Sequence, residues 1–381
     1  MAAYFAPAFV YGGPPRSILG LCQALRRAGV EASVFTTTAN GQEDFPASTE
    51  QQTYEGVPVK HFQRRWPKRF FAVQGLAETL VAEAINFDLL HIHGLWNLTV
   101  WAAMRAARQV GLPYLISPRG MLDRGAMNHE AGRKFIAWHL AERENLLGAK
   151  LLHATSATEA EAIAGYNLNK PIVTIPHGIE FEAISSKKAH EENTKKSKKQ
   201  IVFLGRIHPI KRLDLLAAAF AQIKAGCSEA RLVIAGPDES GHRKRIEPLF
   251  ASVADSVEWV GEVAGEAKAR LLNDAAMLVL CSDSENFGLS VAEALAAGTP
   301  VVTTRTTPWA EVESVGCGFW VEQSAEAMAD RMLYLLSRSD EAGAMGERGA
   351  LWVREKFSWD GVAEQMADCY RSADLSRSAD L

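Results

Sequence analysis

The chain has 381 residues, 48% of them hydrophobic and 23% charged, a globular balance at a length that calls for two domains. Lys and Arg number 41 against 45 Asp and Glu, a net charge of −4 without the basic excess of a nucleic-acid binder. The sequence shows no apolar run near a membrane span, no signal-peptide pattern at its start and five scattered cysteines without a CxxC, so a cytoplasmic protein with reduced thiols is expected.

The elements expected in the first half alternate. A helix over 17–27 ends near Gly29 and is followed by a strand over 31–37. A strand over 89–93 leads through a loop into a helix that runs to Arg108. Further strands are expected at 113–117, 151–156 and 172–175. Strands alternating with helices predict a parallel, doubly wound sheet. Residues 181–200 break the pattern with lysine, serine and glutamate and no apolar period, which reads as an exposed interdomain linker. A second α/β set starts at 201–204 and continues with strands at 231–235 and 257–260. After Ala325 the pattern is mostly helical.

The most informative stretch is 284–302, Ser-Glu-Asn-Phe-Gly-Leu-Ser-Val-Ala-Glu-Ala-Leu-Ala-Ala-Gly-Thr-Pro-Val-Val. The apolar run from Met277 to Leu280 enters it as a buried strand. A short loop carries Glu285, Asn286, Phe287 and Gly288. A helix follows through Ala297, closed by Gly298 and Pro300, and Val301 begins the next strand. Such a loop lies at the carboxyl end of a parallel strand, where open α/β sheets bind ligands. Glu285 in the loop and Glu293 two turns into the helix can grip two parts of one hydroxyl-rich ligand. Gly288 admits close backbone approach, and the helix N-terminus at Leu289 favours an anion.

Other residues follow the same logic. Gly205 and Arg206 follow the strand at 201–204, and with Lys211 they form a loop whose cations can face phosphates. Gly12 and Gly13 precede the first helix and allow backbone to approach a ligand, and Arg16 beside them can meet an anion. His91 and His93 share one strand face, with no third ligand at a metal-site spacing. Arg119 ends the strand at 113–117 and can pair with an anionic ligand or with a neighbouring carboxylate. Residues 64–71, Arg-Arg-Trp-Pro-Lys-Arg-Phe-Phe, interleave cations and aromatics, a composition that suits an anionic membrane surface.

The Glu285–Glu293 spacing within this wording resembles the signature of the retaining glycosyltransferases of family four, and the resemblance runs from Gly12 to about Tyr370. It implies the GT-B fold: two facing Rossmann-like, doubly wound parallel-sheet domains, here 1–180 on the acceptor side and 201–350 for the nucleotide-sugar. A C-terminal helix around 351–370 is implied to cross back to the first domain. Members normally open with a full strand before the glycine turn. Few residues precede Tyr11 here, so the first strand is expected to be short or the start incomplete.

The resemblance also implies roles. Glu285 contacts the donor sugar and Glu293 the ribose. Arg206 and Lys211 grip the diphosphate, with Gly13, Gly205 and Gly236 close to it. Backbone from Asn286, Phe287, Gly288 and Leu289 meets sugar or phosphate, and the backbone at Val260 holds the base. His93 is the active-site histidine, and Arg16 and Arg119 are acceptor candidates. The expected activity is metal-independent, cofactor-free transfer of a hexose from a nucleotide-sugar, UDP-glucose first, to a glycan or lipid-linked acceptor in polysaccharide biosynthesis. The expected location is the cytoplasm, peripheral at the inner membrane face. The alternatives are a GT-B UDP-sugar epimerase and an inactive nucleotide-sugar-binding homologue.

Overall fold

The structure is a computed structural model that describes all residues except 47–50, 129, 182–198, 239–240 and 376–381. The chain forms two compact units, Met1–Gly178 with Trp359–Leu381, and Ile179–Ser358. Most of the expected linker, 181–200, lies outside the described residues.

In the first unit, Val34–Thr37 pairs in parallel with Val57–Phe62, which pairs antiparallel with Gln52–Tyr54. A four-stranded parallel sheet follows in the order Leu90–His93, Tyr114–Ser117, Leu151–Ala154, Ile172–Thr174. The first residues join these two sheets. The Ala2 N–H donates to the Phe35 carbonyl at 3.2 Å, the His93 N–H donates to the Met1 carbonyl at 2.9 Å, and Ala2 bridges His93 in parallel. The expected first strand is thus reduced to one bridge, with pairing wound outward to either side of it. A cavity of about 750 Å³ adjoins this stub, lined by Met1, Leu21, Leu25, Val34, Leu89 and Tyr370 among others.

The first helix, Gly13–Arg27, starts four residues before the expected 17. Gly12 caps it at φ 82°, and Pro14 and Pro15 sit in the first turn. A proline there gives up an N–H that would be unpaired anyway, and its fixed φ is helical. The Gly-Pro-Pro run is therefore a helix start rather than a loop. The returning helix is Trp359–Leu375, not 351–370, because residues up to Lys356 continue the preceding helix Ser339–Lys356 of the second unit. Trp359 lies over Gly20 and Gly178, and Val362, Ala363 and Met366 close a core with Leu21 and Leu25.

The second unit holds a six-stranded, all-parallel sheet. Its order is Val257–Gly261, Arg231–Ala235, Gln200–Leu204, Met277–Leu280, Val301–Thr304, Gly318–Val321. Counted along the chain this is 3-2-1-4-5-6, the Rossmann order. Its central strands are apolar on both faces because helices cover both faces, and Ile201, Val202, Leu278 and Val279 are fully buried. The strand order reverses between Gln200–Leu204 and Met277–Leu280, which opens a crevice at their carboxyl ends.

Candidate functional site

The segments after those two strands carry Arg206 with Lys211 in one loop, and Glu285 in the other with Glu293 in the helix that follows it. Their separation of about 80 residues vanishes in space because the strands are neighbours. The loops are stitched together. The Asp283 N–H donates to the Ile210 carbonyl at 2.8 Å, the Arg212 guanidinium binds Asp283 at 2.9 Å, and the Cys281 thiol donates to the Lys211 carbonyl at 3.4 Å. Within this frame Lys211 forms an ion pair with Glu285, which also accepts from the Ser282 hydroxyl at 2.6 Å. The two side chains are only 15% and 11% exposed, so the pair is poorly screened. Arg206 is exposed and makes no ion pair among the described residues.

Glu293 lies in the second turn of the helix Leu289–Ala296, and Lys268 of the helix Gly265–Asp274 donates to it at 2.6 Å. Gly288 caps the helix at φ 80°, and a Cβ there would lie 2.9 Å from Trp309 Nε1. Trp309 Nε1 donates to the Phe287 carbonyl at 2.5 Å. The Phe287 ring is buried against Trp309 and Phe357, so this residue offers a ligand backbone and not its side chain. Asn286 Oδ1 is a buried acceptor in the loop without a hydrogen-bond partner among the described residues. Gly236, at φ 145°, has a structural duty of its own: a Cβ would fall 1.8 Å from the Gly205 carbonyl oxygen. Only glycine lets these two strand ends touch. Val260 is partly exposed in the edge strand Val257–Gly261.

The first unit gathers histidines at the ends of its parallel strands. The rings of His91 and His93 are 4.0 Å apart on one face. One carbonyl orients a whole buried chain of bonds. The Ile175 carbonyl can only accept, so His153 Nε2 donates to it (2.8 Å) and His153 Nδ1 is the bare nitrogen. Ser117 then donates to His153 Nδ1 (2.6 Å), His91 Nε2 donates to Ser117 Oγ (2.6 Å), and the Tyr370 hydroxyl donates to His91 Nδ1 (2.8 Å). Neutral rings are required throughout. Burial supplies them, lowering His153 to about 4 and holding His91 and His93 well below the ordinary histidine range. The chain ties the returning helix to the sheet beneath His93.

Arg119 is turned inward. Its guanidinium reaches His93 Nδ1 from Nη2 at 3.0 Å and from Nε at 3.3 Å, Ser17 Oγ at 2.8 Å and His177 Nε2 at 3.2 Å. Burial lowers its pKa to about 10, with Glu159 opposing. Of its two sequence readings, hydrogen-bond pairing with a carboxylate is not realised: Glu159 spends its oxygens on the Gly120 N–H and on Thr155. Gly13 begins the first helix, and Arg16 projects outward from it over the Phe9 ring, 4.1 Å from its centroid.

The basic-aromatic turn is partly structural. Arg64 is buried, pairs with Asp44 at 2.7 Å and donates to the Gly41 and Glu43 carbonyls. Phe71 packs against Tyr4 and Tyr11. Arg65, Trp66, Lys68, Arg69 and Phe70 remain exposed, Trp66 at 88%. Among the described residues no group of three or more His, Cys, Asp or Glu could hold a metal, and no helix is long and apolar enough to cross a membrane.

Comparison with known proteins agrees with the geometry. A family model described as "Glycosyl transferases group 1" matches residues 185–352, and one described as "Glycosyl transferase 4-like domain" matches residues 12–178. The D-inositol 3-phosphate glycosyltransferase of Streptomyces scabiei (strain 87.22) is 28% identical over 394 residues, 95% of this chain and 86% of that protein. Sucrose-phosphate synthase from Thermosynechococcus elongatus aligns with a TM-score of 0.76 at 22% identity, over 96% of this chain and 94% of its own. Anabaena HepE in complex with UDP and glucose aligns with a TM-score of 0.71 at 15% identity, over 95% and 96%. The two doubly wound units and these solved structures show the GT-B fold, and the family models with the Streptomyces relative make the chain a glycosyltransferase. The chain belongs to the group 1 glycosyl transferases.

Proposed function

We propose that this glycosyltransferase moves a hexose with retention, without a metal, from a UDP-linked donor to a glycan or lipid-linked acceptor in polysaccharide biosynthesis. UDP-glucose is the first candidate donor. The observation that carries the reading is the placement of two Lys–Glu pairs, Lys211–Glu285 and Lys268–Glu293, in the loop and helix beside the switch point of the second unit.

The chemistry follows from charge. Breaking the sugar–phosphate bond leaves negative charge on the diphosphate. Arg206, Lys211 and the N-terminus of the helix Leu289–Ala296 supply fixed positive potential for it. Glu285 stays paired with Lys211 and has lone pairs left for a sugar hydroxyl, and Glu293 does the same for the ribose. Both carboxylates work by orientation. No protein nucleophile is invoked: the acceptor hydroxyl bonds to the anomeric carbon from the face the diphosphate leaves, which retains configuration, and a phosphate oxygen of the departing diphosphate takes its proton. On the acceptor side His93 and Arg16 belong to the first unit, and Arg16 suits an anionic acceptor. The Streptomyces relative is named for an inositol phosphate, and the HepE structure for UDP and glucose. The exposed cations and aromatics at 65–70 are assigned to contact with an anionic bilayer at the cytoplasmic face.

The test is a panel of UDP-, GDP- and ADP-sugars read by nucleotide release, with and without glycan and phosphorylated polyol acceptors. Nucleotide release that depends on an acceptor supports transfer. Sugar interconversion without an acceptor would mean the epimerase, and binding without turnover the inactive homologue.

A further inference from the structure

We infer that Arg119 is a positioning residue that sets the tautomer of His93: it confines the ring's single proton to Nε2, so His93 offers a ligand oxygen a hydrogen-bond donor and not a base. The inference rests on the reading of His93 as a ligand-contacting residue of the transfer site.

A guanidinium has five N–H donors and no acceptor. Two of its nitrogens, Nη2 and Nε, face the same imidazole atom, Nδ1 of His93, at 3.0 and 3.3 Å. That atom must therefore be bare, and a neutral ring then carries its proton on Nε2. A doubly protonated ring would set an N–H against a cation. Burial, His91 and the Arg119 charge all act against that state. Among the described residues the titratable groups acting on His93 are His91 on its own strand, Arg119 after the next strand, the Met1 amine and His153. None is an anion.

The arginine is itself held. Ser17 Oγ in the first helix and His177 Nε2 accept from Nη1 at 2.8 and 3.2 Å. Its backbone sits at φ 59°, in the left-handed region that a non-glycine residue enters only under strain. Strain of this kind persists where the surroundings over-determine it, and here it turns the guanidinium inward onto the histidine. His93 Nε2 makes no hydrogen bond among the described residues, and the side chain keeps slight exposure. The proton set by Arg119 is thus the one free to meet a hydroxyl or phosphoryl oxygen.

The test is long-range ¹H–¹⁵N spectroscopy of the full-length protein labelled with ¹⁵N-histidine, with His93→Gln assigning the signal. At neutral pH the wild type should show a neutral Nε2–H ring at His93. Arg119→Lys, which keeps a donor, should preserve that tautomer. Arg119→Met should release it to a mixture and raise the ring's pKa. An Nδ1–H ring in the wild type overturns the inference, and so does a tautomer unchanged in Arg119→Met. Should the Met variant not fold, the wild type and the Lys variant still decide. In turnover, Arg119→Met should lower kcat about tenfold, one neutral hydrogen bond, at nearly constant acceptor KM. A rise confined to acceptor KM would instead make Arg119 an acceptor-binding residue. A wild type that transfers no sugar would strike the proposed function and leave the tautomer result standing.

Discussion

Replacing Lys211 by Met keeps the aliphatic stem and removes the charge, so it separates packing from electrostatics. Two losses follow, and their sizes differ. Removing one preorganised donor aimed at developing charge typically costs about 10²–10³ in rate, or roughly 2.7–4 kcal/mol. The folded protein also loses the Lys211–Glu285 pair, with side chains 15% and 11% exposed. Orphaning one partner of a fully buried pair costs roughly 3–5 kcal/mol. Here the Ser282 hydroxyl still donates to Glu285 at 2.6 Å and water reaches the edge, so the stability loss should be about 1–3 kcal/mol. Turnover should therefore fall about a hundredfold or more at a temperature where the variant remains folded. Nucleotide release measured well below Tm gives the rate, and a thermal melt gives the stability. The double variant Lys211→Met/Glu285→Gln should recover stability, because no carboxylate is left unpaired, and should stay slow. Turnover of Lys211→Met within threefold of wild type, or rescue of turnover in the double variant, would refute the electrostatic assignment.

The other predictions rest on separate observations. Donor chemistry held by Arg206, Lys211 and a helix N-terminus should survive excess EDTA; turnover abolished by EDTA and restored by Mn²⁺ or Mg²⁺ would contradict the metal-free proposal. Burial raises the Glu142 carboxyl to about 7, with one oxygen unpartnered and the other accepting from the Trp96 N–H and from Trp101. The folded form therefore holds a proton that the unfolded form releases, and stability should fall between about pH 4.5 and pH 7 by roughly 3 kcal/mol and then level off. Glu142→Gln should remove that fall, so its advantage over wild type grows across the window; an equal difference at pH 4.5 and pH 8 would show no such linkage. The exposed Trp66 and Phe70 predict binding to phosphatidylserine vesicles that weakens with salt and on changing both residues to Ser. Equal partition of variant and wild type would leave the turn a purely structural element.

Local signals in the sequence carried much of this fold. Apolar runs such as Met277–Leu280 and Arg231–Ala235 and the glycine-proline stop after Ala297 mark strands and helix ends through short-range rules, and the structure places them within a residue or so. The first helix starts before the predicted Ser17 because its two prolines carry a loop signal, although the first turn tolerates them. The carboxylates at 285 and 293 stood out by spacing, but their cations did not stand out equally. Lys211 lies in a recognisable loop, whereas Lys268 sits in a plain helix and meets Glu293 only through the packing of the helices Gly265–Asp274 and Leu289–Ala296. Ser117, His153 and Tyr370 are single residues on separate elements; the parallel register of Leu90–His93, Tyr114–Ser117 and Leu151–Ala154 lines up the first two, and the returning helix Trp359–Leu375 adds Tyr370. Arg64 belonged by composition to a surface cluster. A carboxylate 20 residues upstream, Asp44, draws it inside, and no local pattern announces that pair.

Calorimetric titration of UDP into the wild type, Glu285→Gln and Glu293→Gln tests most directly whether the second unit binds a nucleotide-sugar as assigned. Glu293→Gln should weaken UDP by on the order of 1.5–3 kcal/mol, the value of a hydrogen bond to a charged group. Glu285→Gln should leave UDP affinity nearly intact while transfer fails and discrimination among sugars blurs. If Glu285→Gln alone loses UDP, the two carboxylates exchange roles. If neither variant changes binding or turnover, the pairs with Lys211 and Lys268 are structural and the donor site lies elsewhere.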